Sequence, residues 1–316
     1  MTRRLLVTGG AGFIGGHLVR RLLDAGDKVV VLDDFSASSG PSLADHPGLS
    51  VVVGDVRCAA DVDRAVAEVF SGPLSVLQSD SLAAGGDDVI VHLASVVGVE
   101  AVLADPQRTG SVIRGGTEQV LVAARRLGAR VLFFSTSEVT DATRRGPRSV
   151  YAEAKRDAEC LLMDQAAEDQ GVPVTIVRPF NIVGPGQCAP GMVLPAMARA
   201  ALAGSRMPIH GTGRQERSFL HVEDCVDATL ALLDAPLDGG AEVVEIGSEE
   251  RTSISCLAEQ LSELAGQGAS LSCASMDKER EDLPRRAPNL GPLRERVPFK
   301  PRWNLSEILR EALVHA

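Results

Sequence analysis

The feature that most constrains this chain is Gly9-Gly10-Ala11-Gly12-Phe13-Ile14-Gly15, set between an apolar run and a helical pattern. Residues 4–8 read Arg-Leu-Leu-Val-Thr, a short strand. Leu18, Leu22 and Leu23 then recur on one side of a helix, and 28–32 is a second apolar strand closed by Asp33-Asp34. Strand, glycine turn, helix and strand within about 30 residues make a βαβ unit. Glycines at 9, 12 and 15 permit a tight turn, close backbone approach to a pyrophosphate, and close packing of helix on strand. A phosphate would then rest on the free N–H groups at the helix N-terminus. A plain tight turn uses the same glycines, so the rest of the chain has to separate the two readings.

The alternation continues with strands at 51–53, 89–93, 130–134 and 174–177 and helices at 61–70, 118–127 and 151–170. Near-continuous Val/Ile/Leu strands between helices predict an α/β fold, a doubly wound parallel sheet covered on both faces. After Pro179 the texture changes, with Gly184-Pro185-Gly186 and Pro190-Gly191 as punctuation. Helices are expected at 192–202 and 222–233, a strand at 243–246, and two short helical patterns around 280–302. The expected layout is a dinucleotide domain over 1–178, with part of 222–246 returning to it, and a smaller α/β domain over 179–316. Residues 71–88 read as a surface insertion.

Three hundred and sixteen residues suit about two domains of roughly 150 residues each. A net charge of −10 argues against nucleic acid or an anionic membrane as a partner through bulk charge. No apolar run approaches the ~20 residues of a membrane span, and no export signal is read. The six cysteines form no C-x-x-C pair, so no metal is expected; reduced thiols in a cytoplasm are the simplest reading.

Asp33 closes the second strand, where a carboxylate can accept both ribose hydroxyls of NAD and would repel a 2′-phosphate. Asp55, after the third strand, could reach the adenine edge. Asp34 reads either as a further contact or as a solvated turn carboxylate. Tyr151 is the only tyrosine, and it stands four residues before Lys155, one of four lysines, so both project from one helix face. A free phenol has a pKa near 10, and a neighbouring ammonium is expected to lower it. A phenolate that takes a hydroxyl proton while NAD takes the carbinol hydride turns an alcohol into a ketone. Upstream, Ser135-Thr136-Ser137-Glu138 closes a buried strand, the place where an open α/β sheet puts its site. Ser and Thr here could equally cap a turn, and Glu138 could be a structural carboxylate.

Thr8–Gly15, His92-Leu93-Ala94, Tyr151-x-x-x-Lys155, the Arg178–Gly186 run and the Gly211–Asp224 run together resemble the extended short-chain dehydrogenase/reductase family. More narrowly they resemble its NAD-dependent nucleotide-sugar epimerases and dehydratases. The resemblance implies a Rossmann-type sheet with a C-terminal substrate domain. It implies NAD held by Gly9, Gly12, Phe13, Ile14, Gly15, Asp33, Asp34, Asp55, Val56, Leu93, Ala94 and Ser95, with Tyr151 and Lys155. Tyr151 would be the base, with Lys155 lowering its pKa and holding the nicotinamide ribose. Thr136 would bind the sugar hydroxyl, and Ser137 and Glu138 complete the catalytic set. Asn181 and Arg217 would hold a UDP- or GDP-linked sugar, with Val193, His210 and Arg280 as further substrate contacts. A homodimer is implied, through helices around 110–127 and 151–168.

Simple 4-epimerases often carry a small residue where Glu138 stands. The Ser-Thr-Ser-Glu string resembles uronic-acid decarboxylases and 4,6-dehydratases instead, whose chemistry moves on to C5 or C6 once C4 is a ketone. Other segments resemble GDP-mannose 3,5-epimerases, with Glu138 at the position of that group's catalytic cysteine. Two departures concern the substrate side: Val139-Thr140-Asp141 replaces the family's Val-Tyr-Gly before a shortened loop, and Arg280 lies one place off the family's C-terminal Arg. The expectation is an NAD-dependent nucleotide-sugar epimerase working through a transient 4-keto sugar, with inversion at C4 or C5. Decarboxylation of a UDP-linked uronic acid or 4,6-dehydration using Glu138 is the alternative. A non-catalytic dinucleotide sensor or scaffold is the alternative of another class.

Overall fold

The computed structural model describes residues 3–36, 43–70, 88–141, 150–187, 191–210, 212–237, 239–266, 271–274 and 285–316. Residues 71–87 of the expected insertion, the segment 142–149 before Tyr151, and Arg280 lie outside the described residues.

The first half runs β1 (Arg4–Thr8), α1 (Phe13–Asp24), β2 (Lys28–Asp33), β3 (Leu49–Val53), α2 (Ala59–Phe70), β4 (Asp88–His92), α3 (Val99–Ala104), α4 (Pro106–Leu127), β5 (Arg130–Phe134), α5 (Val150–Ala166) and β6 (Val174–Pro179). The second half runs β7 (Ile182–Val183), α6 (Val193–Leu202), β8 (Met207–His210), β9 (Glu216–Ser218), β10 (Leu220–His221), α7 (Val222–Asp234), β11 (Ala241–Ile246), β12 (Arg251–Ser253), α8 (Ile254–Leu264), β13 (Leu271–Ala274), β14 (Arg285–Arg286), α9 (Gly291–Arg296) and α10 (Leu305–Val314). Seven parallel strands form one sheet in the order β11-β6-β5-β4-β1-β2-β3. This is the doubly wound Rossmann order, with β1 central and the strand sequence reversing between β1 and β4. Its last strand comes from the second half: Val244 of β11 pairs with Val177 of β6.

Strand alternation sorts the core onto two faces. Leu5 and Val7 join α1, α7 and α9 through Leu18, Leu22, Leu232 and Leu293. Leu6 and Val30 point the other way, to Val62 and Val66 of α2, Val120 of α4 and Leu162 of α5. A third apolar cluster lies off the sheet, where Met197 of α6, Ile209 of β8, Leu257 and Leu261 of α8 and Leu309 of α10 meet.

The helices differ from expectation in several places: α3 is additional, and α5 ends at Ala166 rather than at 170. α4 begins at Pro106, twelve residues before the expected start, because Asp105 caps it by accepting the Arg108 N–H at 2.8 Å and Pro106 fits the first turn. In the expected helical stretch 280–302, α9 is the helix among the described residues, residues 280–284 lying outside them, and α8 and α10 flank it. Ser253 caps α8 and an Asn304–Glu307 capping box starts α10. Among the described residues no helix is long and apolar enough to cross a membrane.

Candidate active site

The carboxyl ends of β1, β2 and β4 open into a cleft of about 570 Å³. The glycine turn forms its floor. Gly9 has φ +72°, and a Cβ there would lie 2.6 Å from the Ala94 nitrogen. At Gly15 a Cβ would lie 2.3 Å from the Gly9 carbonyl oxygen, so α1 can approach the turn only with glycine there. At Gly12 a Cβ would meet only the Gly9 oxygen, at 3.2 Å, and Gly12 lines the cleft. No side chain caps the start of α1. An uncapped helix N-terminus with its closest approach left open fits a pyrophosphate.

Gly9, Gly12, Phe13, Ile14, Gly15, Asp33, Asp34, Asp55, Val56, Leu93, Ala94 and Ser95 all line this cleft. Asp33 accepts the Ala11 N–H at 2.9 Å and the Phe35 N–H at 2.8 Å, tying the end of β2 to the glycine turn. Burial lifts its carboxyl above the ordinary carboxylate range, against those two N–H bonds. The Asp55 carboxylate is forked by the Arg57 guanidinium, which holds its pKa below the usual range. Asp34 accepts from Ser36 and from Arg108 Nη2, at 3.2 Å. Arg108, also on the cleft, is not singled out by any sequence motif. Its one signal is the Asp105-Pro106 helix start, which places it in the first turn of α4.

Tyr151 opens α5, with the Thr136 and Ser95 hydroxyls beside its phenol. Ser95 lines the cleft, so it links the phenol to the dinucleotide floor. Burial pushes the phenol pKa up, the Glu138 charge adds to that, and the two hydroxyls pull it down. Lys155, expected to lower it, is not among the groups that shift the phenol in this arrangement. Lys155 Nζ donates instead to the Phe134 carbonyl at 2.7 Å, and lies 4.6 Å from the Phe133 ring centroid and 6.0 Å from that of Tyr151. One helical turn brings the two residues to one face; the backbone acceptor at the end of β5 then draws the ammonium to itself. Burial lowers the Lys155 pKa to about 7, against the Glu159 charge.

Ser137–Asp141 form a single 3-10 turn, with Ser137 buried. The Glu138 N–H donates to Thr136 Oγ1 at 3.2 Å, so Thr136 contacts both the Glu138 backbone and the phenol. Thr140, standing where the family has tyrosine, donates to the Ser137 carbonyl at 2.7 Å.

His92, fully buried at the end of β4, has a structural part that its motif does not announce. Thr117 Oγ1 donates to the Ile113 carbonyl at 2.7 Å, so toward His92 Nε2 (3.3 Å) it accepts. Nδ1 then accepts the Thr8 hydroxyl at 2.7 Å, and Thr8 accepts the Ala94 N–H at 3.4 Å. Burial and the Lys155 charge lower the His92 pKa to about 3, so a neutral ring ties β1, β4 and α4 behind the Ala94 wall.

The expected substrate residues lie apart from this cleft. Asn181, at φ +42°, donates through Nδ2 to the Ser218 carbonyl at 2.8 Å, which brings it beside buried Arg217 on β9. Val193 is exposed at the start of α6, next to cleft-lining Met192. His210 ends β8, and its side chain lies outside the described residues.

Comparison with known proteins agrees with this geometry. A family model for the NAD dependent epimerase/dehydratase family matches residues 5–247. The chain is 31% identical to a UDP-N-acetyl-alpha-D-glucosaminuronate decarboxylase of Bacillus cytotoxicus, over 99% of this chain and 97% of that protein. A UDP-glucose 4-epimerase of Thermotoga maritima shares the fold at TM-score 0.83, with 24% identity over 98% of this chain and 97% of that one. MoeE5, solved in complex with UDP-glucuronic acid and NAD, matches at TM-score 0.80 and 26% identity, over 98% of this chain and 97% of its own. With a doubly wound sheet, a glycine-floored cleft and a Tyr-x-x-x-Lys helix beside it, the chain belongs to the NAD-dependent epimerase/dehydratase family.

Proposed function

We propose that this chain is an NAD-dependent decarboxylase of a UDP-linked uronic acid. The observation that carries the reading is Glu138, whose charge acts on the Tyr151 phenol from the turn that also holds Thr136. Inversion at C4 alone needs no such carboxylate, whereas protonating C5 does. The decarboxylase relative and the MoeE5 complex with UDP-glucuronic acid support the same substrate class.

The cleft residues would hold NAD, with the pyrophosphate at the start of α1 and Asp33 toward a ribose. Bound there, NAD supplies the hydride acceptor for C4. Tyr151 takes the C4 hydroxyl proton, with Thr136 and Ser95 fixing the phenol. The C4 ketone lies β to the uronic carboxylate, so the C5–C6 bond breaks, carbon dioxide leaves, and the electron pair passes into an enolate at C4. Glu138 relays a proton from solvent to C5, and Tyr151 returns its proton to the C4 oxygen as the hydride goes back to C4. Asn181 and Arg217 would hold the nucleotide diphosphate, an anion suited to an Arg fork. The reading keeps the rest of residues 179–316, outside α7, β11 and α9, as the substrate half, and a homodimer through α4 and α5. Sedimentation that gives a monomer at assay concentration would remove the dimer.

The test is product mass from UDP-glucuronic acid and its N-acetyl analogue. Loss of carbon dioxide supports the reading; an isomer of unchanged mass returns the chain to epimerisation. Glu138→Gln is expected to lower kcat by about 10²–10⁴-fold, while NADH absorbance still develops because C4 oxidation does not use Glu138. Unchanged turnover in that variant would exclude Glu138 from the chemistry. Asp33→Ser is expected to weaken NADH binding by about 10–100-fold, the value of one or two charge-assisted hydrogen bonds, and to narrow the margin over NADPH. Fluorescence titration checks it, and an unchanged NADH/NADPH ratio counts against Asp33 as the discriminator.

A further inference from the structure

A row of charges, buried at Lys155 and Glu159 and half-buried at Arg178 and Glu245, runs from the site to the edge of the sheet. Tyr151, Lys155 and Glu159 stand at successive helical turns on one face of α5. Lys155 is 1% exposed and Glu159 is 2% exposed. Arg178 of β6 grips Glu159 with both arms of its guanidinium, Nε to Oε1 at 2.9 Å and Nη2 to Oε2 at 2.5 Å. Glu245 of β11 is the register partner of Arg178 and accepts the Asn289 N–H at 2.6 Å. The signs alternate: Lys155, Glu159, Arg178, Glu245.

We propose that Glu159 is a positioning residue: clamped by Arg178, its carboxylate keeps the buried Lys155 amine charged against the Phe134 carbonyl, and Arg178 sets how much of that carboxylate Lys155 feels. The surroundings of Lys155 leave that task to Glu159. Tyr151 and His92 face it as neutral groups, the first a phenol raised by burial and the second an imidazole held neutral by burial. Phe133 offers a ring and Phe134 a carbonyl. A buried ammonium with no counter-charge discharges, and Glu159 is the group whose charge opposes burial at Lys155. The proposal rests on the function given above only for its activity readout.

Four lysines in the chain make the direct measurement practicable. Protein labelled at the lysine side chains gives few enough ammonium and Cε signals to follow by NMR, with Lys155→Met identifying that of Lys155. In Glu159→Gln the Lys155 midpoint is expected to fall by about one pH unit, a tenfold change in its acid–base ratio. Arg178→Gln removes a neighbouring positive charge, so the midpoint is expected to rise. Glu159→Asp keeps the charge and should stay near the parent. The alkaline limb of the kcat/KM profile should move with each midpoint. A merely structural ion pair predicts lost stability in both variants with no opposed shifts. Midpoints that stay put, or that move the same way in both variants, overturn the proposal. Should Glu159→Gln fail to fold, Arg178→Gln decides by itself, since only an upward shift agrees. If the midpoints move as expected and no decarboxylated product forms, the Lys155 assignment stands and the substrate reading falls.

Discussion

Replacing Tyr151 by phenylalanine is expected to lower kcat by about 10³–10⁴-fold, the upper range for a lost general acid–base group, with dinucleotide affinity close to the parent. The ring stays and the hydroxyl goes. Phe134, Thr136 and Ser95 keep their backbone places, and Tyr151 is not among the residues lining the cleft, so the floor that would hold NAD is untouched. Losing the neighbouring Thr136 and Ser95 hydroxyls as partners costs about 0.5–1.5 kcal/mol each at most, offset by no longer burying the phenol hydroxyl. Thermal unfolding should therefore move little while turnover collapses. The environment explains why the effect is large. Burial and the Glu138 charge hold the phenol protonated at neutral pH, the form that returns a proton to a C4 oxygen. Oxidation needs the phenolate, and the buried Lys155 amine is the nearby group that can favour it. Full activity in Tyr151→Phe would remove the mechanism; lost activity with equal loss of NADH binding would make the residue a binding group instead.

The second large effect is expected at Gly15. A methyl group there meets the Gly9 carbonyl oxygen at 2.3 Å and the Gly10 Cα at 2.8 Å, both backbone, so no side-chain rotation relieves it. Either α1 moves off β1 or the turn opens. Helix displacement uncovers Leu18 and Leu22 beneath it, and overpacking of this kind costs about 1–3 kcal/mol. Turn opening pulls the Gly9 N–H from the Leu32 carbonyl and the Ala11 N–H from Asp33. Both routes spoil the alignment of α1 with the cleft. Gly15→Ala is expected to weaken NADH binding by about 100-fold, roughly 2.7 kcal/mol, together with a lowered Tm. Gly26 makes a control: its φ is +85°, yet a Cβ there meets nothing within 4 Å. Gly26→Ala should cost some stability and leave NADH binding alone. Parent-like affinity in Gly15→Ala would show that the helix start is not what the dinucleotide grips.

Much of the fold is legible in the sequence because its signals are local. Apolar, mostly β-branched runs mark β1 to β6, and leucines four and five apart mark α1. α4 reads short because residues 106–117 mix glycine, threonine and arginine on a helix that packing, with the Asp105 cap, extends. Ser253 and Asn304 are good caps for α8 and α10, and the Arg- and Pro-rich stretch between them holds α9. In the site, every glycine-turn and strand-end residue expected at the cofactor lines the cleft. The structural parts of Arg108, His92 and Glu159 are silent in the sequence, since each acts on a partner far away along the chain or across the sheet: Arg108 on Asp34, His92 on Thr8 and Thr117, Glu159 on Arg178.

By itself the sequence determined the doubly wound sheet, the glycine floor and the pairing of one tyrosine with one lysine. These depend on side-chain periodicity, on where a Cβ fits, and on spacing along a single helix, all short-range matters. Where the Lys155 amine points, what the phenol's pKa becomes, and which carboxylate balances the buried charge were decided only when β4, β5, β6 and α5 came together. Burial and Coulomb energies depend on distances through space, and no run of neighbouring residues encodes those.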